Sequence, residues 1–355
     1  FGVALLGLDP ARDDEPPALA LYLPAVLMLD HATGRAEVHA DSEADIDAWL
    51  ARHWAALMRT GDPAVASGTG QGGSAGFDGS AGWRRTAPEY RHQVEACLAS
   101  ITDGDAYVMC LTDRATTTGA TDPLALYLRM RKDGVSSRGA VIVAGERALV
   151  SASPERFLTV RGSEVLTHPI KGTRPRGATP SDDAALAAEL RADPKERAEN
   201  LMIVDLMRND LSRVCEPGTV TTRGFLRVET HPHVHQLVST VAGRLAQGSD
   251  VFDVIEASFP GGSMTGAPKR RAVELLAALE DGPRGLYSGC FGWIGHGGDA
   301  ELAMTIRSVE LRDFASPCGT ATVGAGGGIT ADSDPFAEEQ ERVLKAAPLL
   351  ALLAP

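Results

Sequence analysis

The sequence predicts a large protein of mixed α and β structure, and three observations support this class. Hydrophobic residues make up 44% of the 355 positions, enough to bury a core in one big domain or two intimate ones. Short runs with apolar residues at alternate positions indicate strands. Longer runs with apolar residues at helical spacing alternate with them from about residue 87 to the carboxyl end. We therefore expect strands and helices interspersed along most of the chain.

The amino-terminal part of the sequence predicts a few elements followed by a loop. Residues 17–40 are typical of two strands joined by a turn at "HATGR", and residues 42–60 predict a helix with Ser42 as its N-cap. The stretch that follows, 61–86, is rich in glycine and serine, as flexible loops and linkers are. The predicted division of the chain is 1–60, 61–86 and 87–355.

The remaining elements alternate between the two types. Helices are predicted where apolar residues recur at helical spacing, in two cases just after a proline. These helices are expected at 88–101, 194–212, 265–280 and 335–350. Strands are expected at 148–160 and 163–170 as neighbours, and at 285–295 and 301–311 as a hairpin.

The charge of the chain argues against nucleic acid as a general partner. The formal net charge is −13, the sequence pI is about 5.2, and no basic run is present to meet a phosphate backbone. An anionic substrate must therefore meet local cations or a metal ion. The apolar start "FGVALLGL" is too short to span a bilayer and has no basic segment before it. We expect neither a membrane span nor a signal peptide.

Cysteine usage predicts a reduced, cytoplasmic location. The five cysteines are scattered, and none forms a CxxC pair or a zinc-type spacing. The chain begins at Phe1 rather than at a methionine, so we expect that an amino-terminal portion is missing.

Several carboxylates are candidates for a metal site. Glu338, Glu341 and Lys345 are spaced so that a helix would place them on one face, and Glu199 lies near the start of another predicted helix. Glutamates from two helices could share a Mg²⁺ ion, which favours a few carboxylates together with substrate oxygens and water. The alternative is a pair of solvated helix faces with an ordinary ion pair between Glu341 and Lys345.

Glu155 and Lys171 are candidates for proton transfer and nucleophilic attack. Glu155 follows a proline at a strand junction, and a carboxyl group in a partly apolar pocket has a raised pKa that suits a general acid. Lys171, in "HPIKGTRPRG", precedes Arg174 and Arg176, which would lower its pKa if they pointed inward and so favour the nucleophilic neutral amine. The alternatives are a surface glutamate at a strand end and a surface lysine in a basic turn.

Two glycine-dense stretches are candidates for binding an anion. "VGAGGGIT", residues 323–330, could bring backbone N–H groups close to a ligand, and "FPGGSMTGAPK", residues 259–269, places glycines and hydroxyls before a helix amino terminus. The first is not a dinucleotide fingerprint, because no strand, turn and helix with a distant acidic residue follows. Both could instead be tight turns.

Together these stretches resemble the chorismate-utilising enzymes, from about residue 87 to the carboxyl end. Anthranilate synthases of this family have alanine at the position of Lys171, as "PIAGT", whereas aminodeoxychorismate synthases have lysine, as "PIKGT". The sequence is therefore most similar to aminodeoxychorismate synthase component I, the large subunit of para-aminobenzoate synthase. The resemblance is carried, in family order, by "SASPERF", "HPIKGTRPRG", "ERAENLMIVDLMRNDLSRV", "FPGGSMTGAPKRRA", "GLYSGCFGWIG", "AMTIRSVEL" and "VGAGGGITADSDPFAEEQE".

The resemblance implies a role for each candidate residue. Glu155 corresponds to the general acid that protonates the departing C4 hydroxyl of chorismate. Lys171 corresponds to the nucleophile that attacks C2, and ammonia then displaces it to give 4-amino-4-deoxychorismate. Glu199 and Glu341, with Glu338 close by, correspond to Mg²⁺ ligands. The implied substrate contacts are Ser263, Tyr287, Arg307, Gly324, Gly326, Gly327 and Lys345.

The resemblance also implies a fold, a cofactor and partners. The expected fold is α+β of the anthranilate synthase type, with two antiparallel-rich sheets packed face to face and helices outside. The expected substrates are chorismate and ammonia, with Mg²⁺ as cofactor. The sequence contains no GxCxG nucleophile elbow, so we expect ammonia from a class I glutamine amidotransferase subunit or a fused domain. The product would serve para-aminobenzoate synthesis, for folate or for a secondary metabolite.

The sequence departs from the family pattern in three places. Val108 stands where the family usually has Gln, Glu or Lys, and Gln236 stands where many members have histidine. Residues 1–86 match the family poorly. Valine makes attack by water less expected, and glutamine also occurs in aminodeoxychorismate synthases. Two alternatives stay open, namely anthranilate or isochorismate formation, and a weakly active paralogue that serves as a glutaminase-binding subunit.

Overall fold

The computed structural model describes residues 6, 18–30, 33–57, 82–132, 136, 138–231 and 234–354. Its helices are α1 (Glu43–Leu57), α2 (Ala87–Thr102), α3 (Pro123–Lys132), α4 (Pro180–Ala192), α5 (Pro194–Ser212), α6 (Val251–Ser258), α7 (Lys269–Glu280) and α8 (Pro335–Leu353). Its strands are β1 (Ala25–Asp30), β2 (Arg35–Ala40), β3 (Gly82–Trp83), β4 (Val108–Thr118), β5 (Arg138–Ala144), β6 (Arg147–Ser153), β7 (Arg156–Arg161), β8 (Glu164–Thr167), β9 (Ile170–Pro175), β10 (Thr221–Thr230), β11 (Val234–Arg244), β12 (Gly266–Ala267), β13 (Cys290–Ile294), β14 (Ala300–Met304), β15 (Ser308–Arg312) and β16 (Thr320–Ile329).

The described residues form two compact units. The smaller contains the β1–β2 hairpin and α1, as the alternating and helical patterns predict, and the hydroxyl of Ser42 accepts a hydrogen bond from the Asp45 N–H at 3.2 Å. The larger contains all elements from β3 onward. Most of the predicted glycine-rich stretch 61–86 lies outside the described residues. Its last residues belong to the larger unit, where β3 pairs with β4.

Two seven-stranded sheets, antiparallel in every pairing, form the larger unit. In the first sheet, here called the glycine sheet, the order is β12-β4-β16-β15-β6-β5, and β3 also pairs with β4. In the second, here called the lysine sheet, the order is β10-β11-β8-β7-β14-β13, and β9 also pairs with β11. The glycine sheet carries the glycine-dense strand β16, and the lysine sheet carries Lys171 on β9.

Helices cover the two sheets through separate apolar clusters. α3 and α8 pack on β6, β15 and β16 of the glycine sheet through residues such as Leu126, Val150 and Leu349. α2 and α7 pack on β4 of the same sheet. α5 and α6 pack on the lysine sheet, where Leu158 and Val241 lie in the same cluster as Ile203. Burial of these apolar faces is the main stabilising contribution to the larger unit.

Helix boundaries follow local signals where caps are present. α5 begins at Pro194 as predicted, and the side chain of Asp193 accepts hydrogen bonds from two N–H groups of its first turn. α7 begins at Lys269 rather than at residue 265, so its predicted start is wrong. The reason is that Gly266 and Ala267 pair with β4 as the short strand β12. Among the helices of the described residues, none is both long and apolar enough to cross a membrane.

Candidate active site

The chain passes between the two sheets at two places, and each place carries a predicted site residue. Glu155 lies where β6 of the glycine sheet gives way to β7 of the lysine sheet, and Arg307 lies between β14 and β15. The predictions of single strands over 148–160 and 301–311 are therefore wrong, because each run divides between two sheets. The crossings contact each other, since Met304 N–H donates to Glu155 O and Ala152 N–H donates to Arg307 O.

Arg307 has a backbone conformation that is uncommon for a side chain of its size. Its φ is 50°, in the left-handed region that favours glycine. Nη1 of its guanidinium donates to the carbonyl oxygen of Lys345 at 2.7 Å, which ties the crossing to α8. Such strained residues persist where the surrounding structure holds them, and they cluster at functional sites.

The carboxyl group of Glu155 is buried and has one hydroxyl partner. Its side chain is 6% exposed, and the hydroxyl of Ser263 donates to Oε1 at 2.8 Å. Burial raises the pKa of Glu155, while the hydrogen bond from Ser263 and the charge of Lys171 act in the opposite direction. The net shift raises the pKa toward the range that suits a general acid.

Lys171 lies on β9 beside a wall formed by Gly328 and Val108. A Cβ atom built on Gly328 would stand 3.7 Å from Lys171 Nζ and 3.5 Å from a methyl group of Val108. In the part of the chain that the structure describes, the Nζ atom has no hydrogen-bond or ion-pair partner. The next residue, Gly172, has φ 81°, and a Cβ there would meet the Glu196 carboxylate at 2.9 Å. Glycine thus lets β9 bring Lys171 to this wall.

The interpretation that Arg174 and Arg176 point inward toward Lys171 is wrong. Arg174 binds the carboxylates of Glu189 on α4, Glu196 on α5 and Asp193 between the two helices, and Arg176 binds Asp183 on α4. Their charges are therefore neutralised by helix carboxylates, and the two arginines fasten β9 to these helices rather than acting on the lysine.

The glycine-dense stretch is a strand and neither a loop nor a tight turn. Residues 323–329 belong to β16 and pair with β4 residue by residue, with Gly326 opposite Thr112. Glycine is needed here for close approach. A Cβ at Gly324 would overlap the ring of Tyr287, and one at Gly327 would stand 2.8 Å from the Glu338 carboxylate. Because side chains alternate along a strand, Tyr287 packs on one face of β16 at Gly324, and Glu338 approaches the opposite face at Gly327.

The stretch before α7 directs the hydroxyl of Ser263 to Glu155. Ser263 lies in a single 3₁₀ turn, Gly262–Met264, and its hydroxyl is engaged with Glu155. Pro268 precedes the helix and offers no side-chain cap. The structure therefore brings Ser263 to the acid of the site instead of leaving it at the start of α7.

Three glutamates lie near one another, namely Glu199 on α5 and Glu338 and Glu341 on α8. Burial raises the pKa of Glu199, and the charge of Glu338 adds to the increase. The cations Lys171 and Lys195 act in the opposite direction. Burial also raises the pKa of Glu338, against a 2.7 Å hydrogen bond from the Ser333 hydroxyl. Burial alone would raise the pKa of Glu341, but cations led by Lys345 bring it below its ordinary value.

Lys345 is held by two groups of the site. Its ammonium lies 2.5 Å from Oε1 of Glu341 and donates to the carbonyl oxygen of Gly326 at 2.8 Å. The predicted one-face arrangement of Glu341 and Lys345 on α8 is therefore confirmed. Lys345 contacts β16, while 47% of the Glu341 side chain is exposed to solvent. The Lys345 ammonium therefore lies where α8 approaches β16.

The carboxylates suit a hard divalent cation with an incomplete protein shell. Within the described ranges, no group of three or more His, Cys, Asp or Glu side chains is arranged to hold a metal ion. Mg²⁺ needs only one or two carboxylates when substrate oxygens and water fill its other positions. Burial is the main cause of the raised pKa of Glu199 and of Glu338, and the charges of Glu338 and Glu341, respectively, add to it, so a cation would relieve the repulsion. The residues present therefore fit Mg²⁺.

Two residues near the glutamates escaped the sequence analysis. Ser333 donates to Glu338 and accepts from the Thr330 N–H, so it fixes one carboxylate oxygen. Lys195 Nζ lies 4.0 Å from Oε1 of Glu199, one helical turn away. The i,i+4 spacing of Lys195 and Glu199 was a signal that could have identified the pair. Ser333 had no such signal, because it is fixed by the loop between β16 and α8.

Comparison with known proteins agrees with this geometry. The sequence matches the family described as chorismate binding enzyme over residues 3–351. The chain belongs to this family. The match extends well upstream of residue 87, so the expectation that residues 1–86 match the family poorly is wrong.

Relatives within the family carry more than one name. The chain is 41% identical over 355 residues to an aminodeoxychorismate synthase of Streptomyces pristinaespiralis, covering 98% of this chain and 48% of the relative. It is 45% identical over 276 residues to anthranilate synthase component 1 of Arthrobacter globiformis, covering 76% of this chain and 51% of the relative. The chain thus spans about half the length of these curated relatives.

The fold agrees with that of a solved relative. Anthranilate synthase component I of Streptococcus pneumoniae superposes with a TM-score of 0.78 at 28% identity, covering 91% of this chain and 71% of the other. The predicted α+β fold, with two antiparallel-rich sheets packed face to face and helices outside, is therefore confirmed.

Proposed function

We propose that this protein is an aminodeoxychorismate synthase component I, which converts chorismate and ammonia to 4-amino-4-deoxychorismate and water. The observation that carries the proposal is the position of Lys171. Its amine is unpartnered among the described residues, stands at a wall of glycine and valine, and acts electrostatically on Glu155, Glu199 and Glu341. Overall identity does not choose between aminodeoxychorismate and anthranilate synthases, whereas a nucleophilic lysine favours the former.

Two displacements account for the reaction. In the first, the neutral amine of Lys171 forms a bond to C2 of chorismate, the ring double bonds shift, and the C4 hydroxyl leaves as water with a proton from Glu155. In the second, ammonia forms a bond to C4 and the bond from C2 to the lysine nitrogen breaks. Nitrogen therefore ends at C4 rather than at C2, and the new C4 ammonium gives a proton back to Glu155.

The other site residues bind and orient the substrate in this proposal. Arg307 and Lys345 offer cations to the substrate carboxylates, and Ser263, Tyr287 and the backbone of Gly324, Gly326 and Gly327 form the surrounding contacts. Glu199 and Glu341, with Glu338 beside them, would hold Mg²⁺, which supplies positive charge against a substrate carboxylate. Ammonia would come from a class I glutamine amidotransferase, either as a separate subunit or as a fused domain.

Val108 supports amination over hydration. Its methyl group lies at the same wall as the Lys171 amine, and it offers no hydrogen bond to a water molecule there. Water attack needs a polar group that activates the water. The apolar wall therefore disfavours isochorismate formation.

A second candidate, anthranilate synthesis, is favoured by the 45% identity to the Arthrobacter enzyme. The chain is incubated with chorismate, Mg²⁺ and ammonium at alkaline pH, and the products are treated with a lyase that aromatises aminodeoxychorismate. Chromatography against authentic standards, followed by mass spectrometry, then separates the candidates, because p-aminobenzoate and anthranilate have the same mass. p-Aminobenzoate is the expected product. Anthranilate or isochorismate would overturn the proposal, as would bound chorismate that is never turned over.

A further inference from the structure

Arg284, between α7 and β13, uses its whole guanidinium group inside the protein. An arginine side chain has five N–H donors in a fixed planar arrangement. In this structure each donor has an acceptor between 2.6 and 3.2 Å. The acceptors are both carboxylate oxygens of Glu280, the carbonyl oxygens of Met264 and Cys110, and the hydroxyl of Ser288.

Two of these acceptors adjoin residues of the candidate active site. Met264 follows Ser263, whose hydroxyl donates to Glu155. Ser288 follows Tyr287, whose ring lies against Gly324. One guanidinium group therefore connects the turn behind the general acid with the turn that carries the aromatic wall.

The remaining acceptors connect Arg284 to β4, the strand that pairs with the glycine-dense strand β16. Cys110 lies opposite Gly328 in the β4–β16 pairing, and Arg284 Nη2 donates to its carbonyl oxygen at 2.9 Å. Glu280 is 5% exposed and also accepts two hydrogen bonds at 2.9 Å from Thr112, one from its N–H and one from its hydroxyl. The arginine and its counter-charge are thus both fixed to β4.

We propose that Arg284 is a positioning residue that sets the places of Ser263 and Tyr287, and through Ser263 the place of the Glu155 carboxyl. The inference rests on the proposed function, because Glu155 matters as the acid of a chorismate reaction. It assigns a role to a residue that has no hydrogen bond to the predicted substrate contacts of β16 or to Glu199, Glu338 and Glu341.

Lysine cannot replace arginine at this position. Its ammonium has three donors from a single point, so it cannot reach acceptors on a turn, a strand and a helix at once. Arg284→Lys keeps the charge that Glu280 needs but releases at least two of the five bonds. We expect kcat to fall about tenfold, because small misplacements of reacting groups are costly.

A double-mutant cycle tests the role. Wild type, Arg284→Lys, Ser263→Ala and the double variant are compared by kcat, KM and calorimetric chorismate affinity. If Arg284 acts through Ser263, the double variant loses little more activity than Ser263→Ala alone. If the role is purely structural, Arg284→Lys lowers the thermal midpoint and leaves kcat per folded molecule unchanged. If the two residues act independently, their separate losses of kcat multiply in the double variant. Either result would overturn the inference.

Two further variants keep the test decisive. Arg270→Lys is the matched control, since Arg270 pairs with Glu274 at the same i,i+4 spacing but on the exposed face of α7, and it should change nothing.

If Arg284→Lys does not fold, Glu280→Gln takes its place in the cycle. The kcat values of the cycle are measured for whichever product the wild-type protein forms from chorismate. The calorimetric chorismate affinities give the coupling between Arg284 and Ser263 without turnover. An unexpected product therefore contradicts the proposed function while the inference is still tested.

Discussion

The guanidinium of Arg342 and the carboxylate of Asp113 form a buried ion pair, with Nη1 2.5 Å from Oδ2 and each side chain at most 2% exposed. The same guanidinium lies between the rings of Trp83 and Tyr90, 4.2 and 4.3 Å from their centroids. Arg342 follows Glu341 on α8, so this contact fastens the helix that carries the candidate metal ligands to β4 of the glycine sheet.

Asp113→Ala should therefore destabilise the larger unit strongly. Removing Asp113 leaves the buried Arg342 charge with only the longer contact to Glu339 at 3.7 Å, and loss of a buried partner costs roughly 3–5 kcal/mol. The free energy of unfolding, measured by urea denaturation, should fall by about this amount. Asp105→Ala is the control, because Asp105 pairs with Arg271 at 3.0 Å on the surface and its loss should cost less than about 1 kcal/mol. Equal losses in the two variants would contradict the prediction.

Local signals made much of the secondary structure predictable. The start of α5 follows from Pro194 and the capping Asp193, and that of α8 from Pro335 and the capping Asp334. The β1–β2 hairpin follows from its turn. These features depend on neighbours in sequence, so the sequence contains the information directly.

Long-range contacts decided what the sequence analysis missed. The run 148–160 reads as one strand, yet it divides at Pro154 between two sheets, and only the pairing partners of β6 and β7 determine this. The partner of Ser263 is Glu155, 108 positions away. Family resemblance supplied the identities of the site residues, but their hydrogen-bond partners required the three-dimensional structure.

Lys171→Ala should abolish amination at C4. Without a nucleophile at C2, the two-step route is closed, and the rate of aminodeoxychorismate formation should fall about 10³-fold or more. Direct attack by ammonia at C2, with the C4 hydroxyl leaving as water, would then give a 2-amino product, which chromatography before mass spectrometry separates from its 4-amino isomer. Lys132→Ala, which changes an exposed lysine at the end of α3, is the control. Unchanged aminodeoxychorismate formation would refute the nucleophile role.

Glu199→Gln should raise the Mg²⁺ requirement. The substitution keeps the size of a side chain that is 14% exposed but removes its charge, so the concentration of Mg²⁺ for half-maximal activity should rise at least about tenfold. Titration of activity with Mg²⁺, together with calorimetric Mg²⁺ affinity, measures the effect. Glu216→Gln removes a carboxylate paired with Arg244 on the surface and should leave the titration as in wild type. An unaltered titration in Glu199→Gln would exclude it as a ligand.

Lys195→Gln should change Mg²⁺ affinity in the opposite direction. The ammonium of Lys195 lies 4.0 Å from Glu199 and stabilises the ionised carboxylates that Mg²⁺ would also stabilise. Removing this competing charge should tighten Mg²⁺ binding about three- to tenfold. Calorimetry at low ionic strength measures the change, and added salt should reduce it. Weaker binding in Lys195→Gln would show that the lysine supports the metal site instead of competing with it.

His168 should make stability depend on pH below neutrality. Its Nδ1 atom is buried and finds no hydrogen-bond partner among the described residues, and burial, with Arg156 and Arg138 nearby, lowers its pKa to about 4. An unfolded histidine has a pKa of about 6.5, so between these values the unfolded chain binds the extra proton. The free energy of unfolding should therefore fall as the pH drops from 7 toward 4.

The contribution of His168 can be isolated by difference. After allowance for its partial exposure, about 2 kcal/mol of the decrease should come from this residue and should disappear in His168→Gln. Urea denaturation of both proteins at several pH values between 7 and 4 measures the difference. His92→Gln, which alters a histidine that is 84% exposed on α2, should keep the wild-type slope. If His168→Gln retains that slope as well, the proton taken up on unfolding belongs to another group, and His168 is not what makes the fold sensitive to acid.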